Sequence, residues 1–400
     1  MIKRAHVILA GLVAVTAVIS CGSERKTGLG SPLMSVRMAG SEMIRNPSLW
    51  MADFVTEKKW NYTQGLMGLA FLKVYEATGD ERYYNYAKGY ADSLIDAEGN
   101  IWKYKMDNFN IDQVNPGKMM FILYDRTADP RYEKVINTLY EQLKNQPRIA
   151  EGGFWHKKVY PDQMWLDGLY MGAPFYAEYA LRYSHPQDFR DVVNQFLIVA
   201  AHTYDPATGL YRHAFDASKK MAWADSLTGQ APHAWGRAMG WFSMAIVDAL
   251  DFLPEDQAGR NQMIDILERM VKKLAEIQDP ATGGWYQVLD RSGDEGNYIE
   301  TSCTAMFAYS IFKGVRKGYL DNEYIGVALK AYNGLIENFI VTNPDKTVTM
   351  KNICGVAGLG GDPYRDGSYE YYIGEVIREN DPKGVGPFIL ASLEYEMIPK

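Results

Sequence analysis

The densest run of chemically capable side chains is Trp155-His156, then Asp162-Gln163-Met164-Trp165-Leu166-Asp167-Gly168-Leu169-Tyr170-Met171-Gly172. Asp167 stands between Trp165 and a helix predicted to begin at Gly168. A carboxyl group beside a large indole is partly shielded from water. That favours its protonated form and suits a proton donor working near neutral pH. The position equally suits a helix cap, because an Asp side chain accepts the free N–H groups of a first turn. A second acid, Asp112 in Asn110-Ile111-Asp112-Gln113-Val114-Asn115-Pro116-Gly117-Lys118, also precedes a predicted helix and carries the same two readings. Acids at the same ends of different helices can face one another across a cleft, and pairs of carboxyl groups are what glycosidic bond cleavage commonly uses.

The third constellation is Pro232-His233-Ala234-Trp235-Gly236-Arg237-Ala238-Met239-Gly240-Trp241. On a helix, Arg237 and Trp241 lie four apart and share a face. An Arg fork beside aromatic rings matches a carboxylate, so Arg237 is a candidate clamp for an acidic ligand. The competing reading stacks Arg237 on a core Trp and pairs it with a structural acid. His213, in Tyr211-Arg212-His213-Ala214, is a lone histidine and fits a supporting role as well as a catalytic one. The run Cys354-Gly355-Val356-Ala357-Gly358-Leu359-Gly360-Gly361 lacks the Gly-Lys-Ser/Thr ending and the preceding strand of a phosphate loop.

The elements that must hold these groups are helices. From Tyr132 the apolar residues run Val135, Ile136, Leu139, Tyr140, Leu143; from Met263 they run Ile266, Leu267, Met270, Val271, Leu274. Both follow the i, i+3, i+4, i+7 stripe of an amphipathic helix. Similar stripes fall near 38–53, 62–78, 81–96, 113–126, 165–183, 187–202, 234–252, 299–316, 322–340 and 384–397, about twelve helices in all. No long run alternates with period two, which speaks against a large sheet. Connectors repeat: Ala77-Thr78-Gly79-Asp80 resembles Thr127-Ala128-Asp129-Pro130, and Asp205-Pro206-Ala207-Thr208-Gly209 resembles Asp279-Pro280-Ala281-Thr282-Gly283. Recurring helix pairs joined by recurring turns predict an all-α fold, an (α/α)6 barrel of six inner and six outer helices. An open curved solenoid is the alternative.

Three segments are expected: 1–20 as a signal, 21–36 as a tether and 37–400 as one catalytic domain. Lys3 and Arg4 precede an apolar run from Val7 to Ile19, too short to span a membrane. Cys21 follows directly, as in bacterial lipoprotein signals, so the chain is expected to be exported to the periplasm or cell surface with a lipid on Cys21. The other reading is ordinary cleavage and release. Cys303 and Cys354 are then the remaining thiols, either one disulfide or two free core residues. No CxxC or helical His pair appears, and no metal or organic cofactor is expected. The net charge of −7 over 400 residues speaks against a nucleic-acid surface. The 28 Tyr and 9 Trp suit either sugar stacking or core packing.

Together these segments resemble glycoside hydrolase family 105, the unsaturated rhamnogalacturonyl hydrolases. The resemblance rests on Asn110-Ile111-Asp112 with Asn115-Pro116-Gly117, and on Met164-Trp165-Leu166-Asp167-Gly168-Leu169-Tyr170-Met171. It continues through His213, Trp235-Gly236-Arg237, Gly240-Trp241, Gly358-Leu359-Gly360-Gly361 and Gly384-Val385-Gly386-Pro387-Phe388, across roughly 40–398. It implies the barrel, Asp167 as general acid/base and Asp112 as second essential carboxylate. His156, Trp165, His213, Trp235, Arg237 and Trp241 would line the site. The implied substrate is a lyase-generated pectin (rhamnogalacturonan) oligosaccharide ending in a 4,5-unsaturated uronic acid, cleaved by hydration of the C4=C5 double bond. Three rivals remain: the related family 88 glucuronyl hydrolases acting on glycosaminoglycan fragments, an inverting glycosidase on a saturated sugar, and a lipoprotein that only binds oligosaccharide.

Overall fold

A computed structural model describes residues 33–399. The signal, Cys21 and most of the expected tether lie outside these residues. Thirteen helices are described: α1 (Met34–Arg45), α2 (Tyr62–Thr78), α3 (Glu81–Asp92), α4 (Gly117–Thr127), α5 (Pro130–Asn145), α6 (Leu166–Arg182), α7 (Pro186–Thr203), α8 (Gly236–Ala249), α9 (Arg260–Ile277), α10 (Thr301–Arg316), α11 (Ile325–Phe339), α12 (Tyr369–Gly374) and α13 (Pro382–Glu396). The first described helix begins at Met34, inside the stretch expected to be tether. Ser35 is buried and donates its N–H (3.0 Å) and hydroxyl (2.6 Å) to Glu396, which ties α1 to α13.

The two kinds of helix differ as their sequences require. In α9 only Met263, Ile266, Leu267, Met270, Val271 and Leu274 are buried, a single stripe facing inward. In α10 every residue from Thr301 to Gly314 is buried, because the helix is covered on all sides. Helices of the second kind close a ring: α2 packs on α4, α4 on α6, α6 on α8, α8 on α10, α10 on α13, and α13 returns to α2. Outside it, α3, α5, α7 and α11 cover α2, α4, α6 and α10; α9 covers α7 and α8, and α1 covers α13. This is the (α/α)6 barrel. Glycines 236 and 240 let α8 approach α10. A Cβ at Gly236 would stand 2.9 Å from Cys303 Sγ, and one at Gly240 would stand 2.7 Å from Met306 Sδ.

Connector length is uneven in a way that gathers the long loops at one end. Chains leaving an inner helix are shorter, from two residues (79–80 after α2, 128–129 after α4) to ten (250–259 after α8). Asp80 and Asp129 cap the outer helices by accepting the N–H groups of Arg82 (3.0 Å) and Arg131 (2.9 Å). Chains returning to an inner helix are long: 46–61, 93–116, 146–165, 204–235, 278–300 and 340–381. All six long loops, and all six inner-helix N-termini, therefore lie at one end of the barrel. Within two of them the repeated turns close on their own Asp, Asp205 on the Ala207 N–H (3.0 Å) and Asp279 on the Thr282 N–H (2.7 Å). The only sheets among the described residues are four two-stranded ribbons.

Candidate active site

A ribbon sets the position of Asp167. Gln163–Trp165 pairs antiparallel with Ala214–Asp216, placing Trp165 opposite Ala214. The first strand runs directly into α6, where the Leu166 N–H donates to the His213 carbonyl (3.1 Å). Trp165 is thereby the residue that precedes the helix, and Asp167 falls inside the first turn. Asp167 is not the cap that its sequence position allowed. His213 Nε2 stands 3.2 Å from Asp167 Oδ2, close enough for an ion pair. The contact is off the line of a hydrogen bond, so both atoms are buried without a hydrogen-bond partner. Gly168 leaves room beside them; a Cβ there would stand 2.8 Å from His156 Nδ1.

Asp112 lies in a 3-10 turn, Ile111–Val114, whose first N–H groups are met by the Asn110 side chain. Asp112, too, is not the cap. Its Oδ1 is 3.3 Å from His156 Nε2 and its Oδ2 is 2.6 Å from Lys157 Nζ. Burial pushes its carboxyl upward, but the Lys157 and His156 charges and hydrogen bonds outweigh that and hold it well below the usual carboxylate range. Asp112 is therefore a fixed anion across the neutral range and not a proton donor.

Aromatic rings connect the two acids. His156 stacks on Trp165 (4.7 Å, 6°), Tyr160 also stacks on Trp165 (5.1 Å, 14°), and the Trp165 edge meets His213 (5.3 Å, 69°). His213 in turn lies 4.8 Å from Trp235, whose Nε1 donates to Gln287 Oε1 (3.0 Å). The structure thus gathers Asp112, His156, Trp165, His213, Asp167 and Trp235 into one continuous group. Trp241 sits deeper, stacked on Tyr170 (4.8 Å) with its edge toward Tyr62 (6.3 Å). All three indoles are buried, Trp165 being 6% exposed and Trp235 and Trp241 each 1%. They wall the site and hold its polar groups, and are not open platforms for a sugar ring.

Arg237 departs from the clamp expected of it. Its side chain is buried beneath the others, its guanidinium carbon 5.4 Å from the Trp235 ring. Nε donates to Ser302 Oγ (2.8 Å), Nη1 to the Gly355 carbonyl (3.1 Å), and Nη2 to Glu300 Oε1 (3.4 Å) and the Cys354 carbonyl. Four acceptors occupy a group with five N–H donors. No pair of N–H groups is left to grip a ligand carboxylate, and the structural acid of the competing reading is Glu300.

Several neighbours escaped the sequence reading. Lys157 is adjacent to His156 and neutralises Asp112, a role that adjacency alone did not signal. Tyr160 comes from a loop and Tyr372 from the short helix α12, inside the long connection 340–381. Tyr372 Oη lies 2.7 Å from His213 Nδ1 across 159 residues. Cys303 and Cys354 are free and buried.

Comparison with known proteins agrees with this architecture. The family model described as Glycosyl Hydrolase Family 88 matches residues 34–398. A solved structure of a glycoside hydrolase from family 105 of C. acetobutylicum superposes with a TM-score of 0.88 at 44% identity, covering 91% of this chain and 99% of that one. "Unsaturated rhamnogalacturonyl hydrolase YesR" of Bacillus subtilis is 27% identical over 290 residues, 71% of this chain and 78% of its own length. "Protein Atu3128" of Agrobacterium fabrum is 40% identical over 232 residues, 56% of this chain and 97% of its own length. The chain belongs to the glycoside hydrolases of families 88 and 105, and is a glycosidase.

Proposed function

We propose that the chain removes the terminal 4,5-unsaturated uronic acid from pectin-derived oligosaccharides left by a rhamnogalacturonan lyase. The observation that carries this reading is the buried Oδ2 of Asp167, unpartnered by any hydrogen bond and faced by His213. The name of YesR supports the substrate class. Six inner-helix N-termini at the long-loop end add a field that favours an anionic ligand.

In this reading Asp167 gives its proton to C4 of the double bond. Positive charge develops at C5 and is shared with the ring oxygen, facing the fixed anion of Asp112. Water adds at C5 and gives a proton back to Asp167, so the carboxyl group is regenerated. The resulting hemiketal opens to a ketone at C5. The hemiacetal left at C1 then releases the next sugar as an alcohol. No other group is consumed, and one carboxyl serves both proton transfers.

The test is the ultraviolet absorbance of the conjugated double bond. Disaccharides made by a rhamnogalacturonan lyase and by a glycosaminoglycan lyase are offered in parallel. Loss with the pectin fragment alone is expected. Loss only with the other transfers the enzyme to glucuronyl substrates, and loss with neither refutes the hydration chemistry.

The site is also proposed to work outside the cytoplasm, with the protein held by a lipid on Cys21. Cys21→Ser is expected to move the protein from the membrane fraction to the soluble one without changing its activity. Retention in the membrane fraction would remove the anchor from this account.

A further inference from the structure

His213 carries two ring nitrogens, of which Nδ1 is hydrogen-bonded and Nε2 has only the off-line contact with Asp167. Nε2 faces Asp167 Oδ2 at 3.2 Å, and Nδ1 faces the Tyr372 hydroxyl at 2.7 Å. The ring is 0% exposed, as is Tyr372, so water cannot supply a missing partner to either. We infer that Tyr372 is a positioning residue, which sets the tautomer of His213 and through it the orientation of the catalytic carboxyl of Asp167. This rests on Asp167 being the acid of the proposed reaction.

The argument is one of donors and acceptors. The Tyr372 hydroxyl makes no other hydrogen bond among the described residues, so its proton has one acceptor in reach, Nδ1. Burial pushes the phenol well above its ordinary range, with smaller contributions from Tyr371, Asp167 and Asp290, so the proton stays on the hydroxyl. With Nδ1 accepting, the neutral ring carries its hydrogen on Nε2, the nitrogen that stands beside Asp167. The opposite tautomer would fail twice. It would strand the phenol proton in a buried site, and it would set the Nε2 lone pair against a carboxyl oxygen.

The charged groups around the pair leave this arrangement undisturbed. Asp290 is occupied by His233 Nδ1 (2.8 Å), Arg212 (3.0 Å) and the Ala234 N–H (2.8 Å). Arg365 is turned to the Gly360 carbonyl (2.8 Å) and Tyr160 (3.0 Å). Trp235 stacks on Tyr372 (6.2 Å, 24°) and holds the phenol in line. An Nε2–H beside Oδ2 leaves the other oxygen of Asp167 to carry the mobile proton. It also faces the negative charge that remains once that proton has gone to the sugar.

The test combines kinetics with nitrogen chemical shifts of 15N-labelled histidine in the full chain. With 6 histidines the spectrum is assignable, His213 being identified by its loss in His213→Gln. In the wild type at neutral pH, His213 is expected to show a protonated Nε2 and a bare Nδ1. Tyr372→Phe is expected to lose that single-tautomer pattern and to lower kcat about tenfold to a hundredfold, the usual cost of losing a hydrogen bond that orients a functional histidine. KM should stay within about threefold, because Tyr372 is fully buried and acts through His213. A wild-type ring protonated on Nδ1 overturns the inference, and so does an unchanged kcat in Tyr372→Phe. If that variant does not fold, the wild-type shifts decide alone. If the wild type turns over no unsaturated uronide, the substrate reading fails, while the shifts still decide what Tyr372 does.

Discussion

Asp167→Asn lowers turnover by about 10³-fold or more while leaving the barrel intact. General acid/base assistance is worth about 10²–10⁴-fold, and in the proposed reaction the same group acts in both proton transfers. An amide keeps the shape of the carboxyl and its contact with His213 but has no proton to give to C4. The structural cost is small because Asp167 is not a cap: Trp165 precedes the helix, and no backbone N–H of the first turn is held by Asp167. Melting should therefore stay within about 2 °C of wild type, as for a substitution that removes no buried bond. Loss of turnover and fold together would return Asp167 to a structural role, and retained turnover would move the acid elsewhere. Asp112 is not a substitute, because Lys157 at 2.6 Å and His156 at 3.3 Å keep it ionised.

Much of this was legible before the structure, and the gaps have physical causes. Outer helices such as α9 announce themselves, since one face is wet and the period of 3.6 shows. The stripe at 62–78 coincides with α2, whose end is marked by Gly79 in a left-handed conformation. Ribbons such as Gln163–Trp165 are too short for any period to show. Yet this ribbon seats Trp165 and His213 together, so the sequence named residues that meet here without showing the device that joins them. Tyr372 was invisible for a related reason: its partner lies 159 residues away, and a tyrosine-rich segment is ordinary. The early start of α1 was missed because small polar residues read as tether until their partner, Glu396 at the far end of the chain, is in place.

Arg237 shows how a fork can be read correctly and assigned wrongly. Its type and its aromatic neighbours are those of a carboxylate clamp, but its acceptors are supplied by residues 63 to 118 positions away. Arg237→Met is accordingly expected to act on stability before binding. It strands the fully buried Glu300 carboxylate without its cation and leaves the Cys354 and Gly355 carbonyls without donors. Removing one partner of a buried ion pair costs about 3–5 kcal/mol, a drop in melting temperature of roughly 5–15 °C here. Glu300 keeps the N–H groups of Ser302, Cys303 and Cys354, so Glu300→Gln in the same chain should restore part of the loss. That recovery, read as a double-mutant cycle, distinguishes a broken pair from a merely missing side chain. A clamp predicts the reverse pattern: unchanged melting in Arg237→Met, a raised KM, and no rescue by Glu300→Gln. Because Arg237 holds the carbonyls of 354–355 against α10, its loss should also loosen the loop that carries Tyr372. Any fall in kcat should then appear together with the fall in melting temperature and not without it.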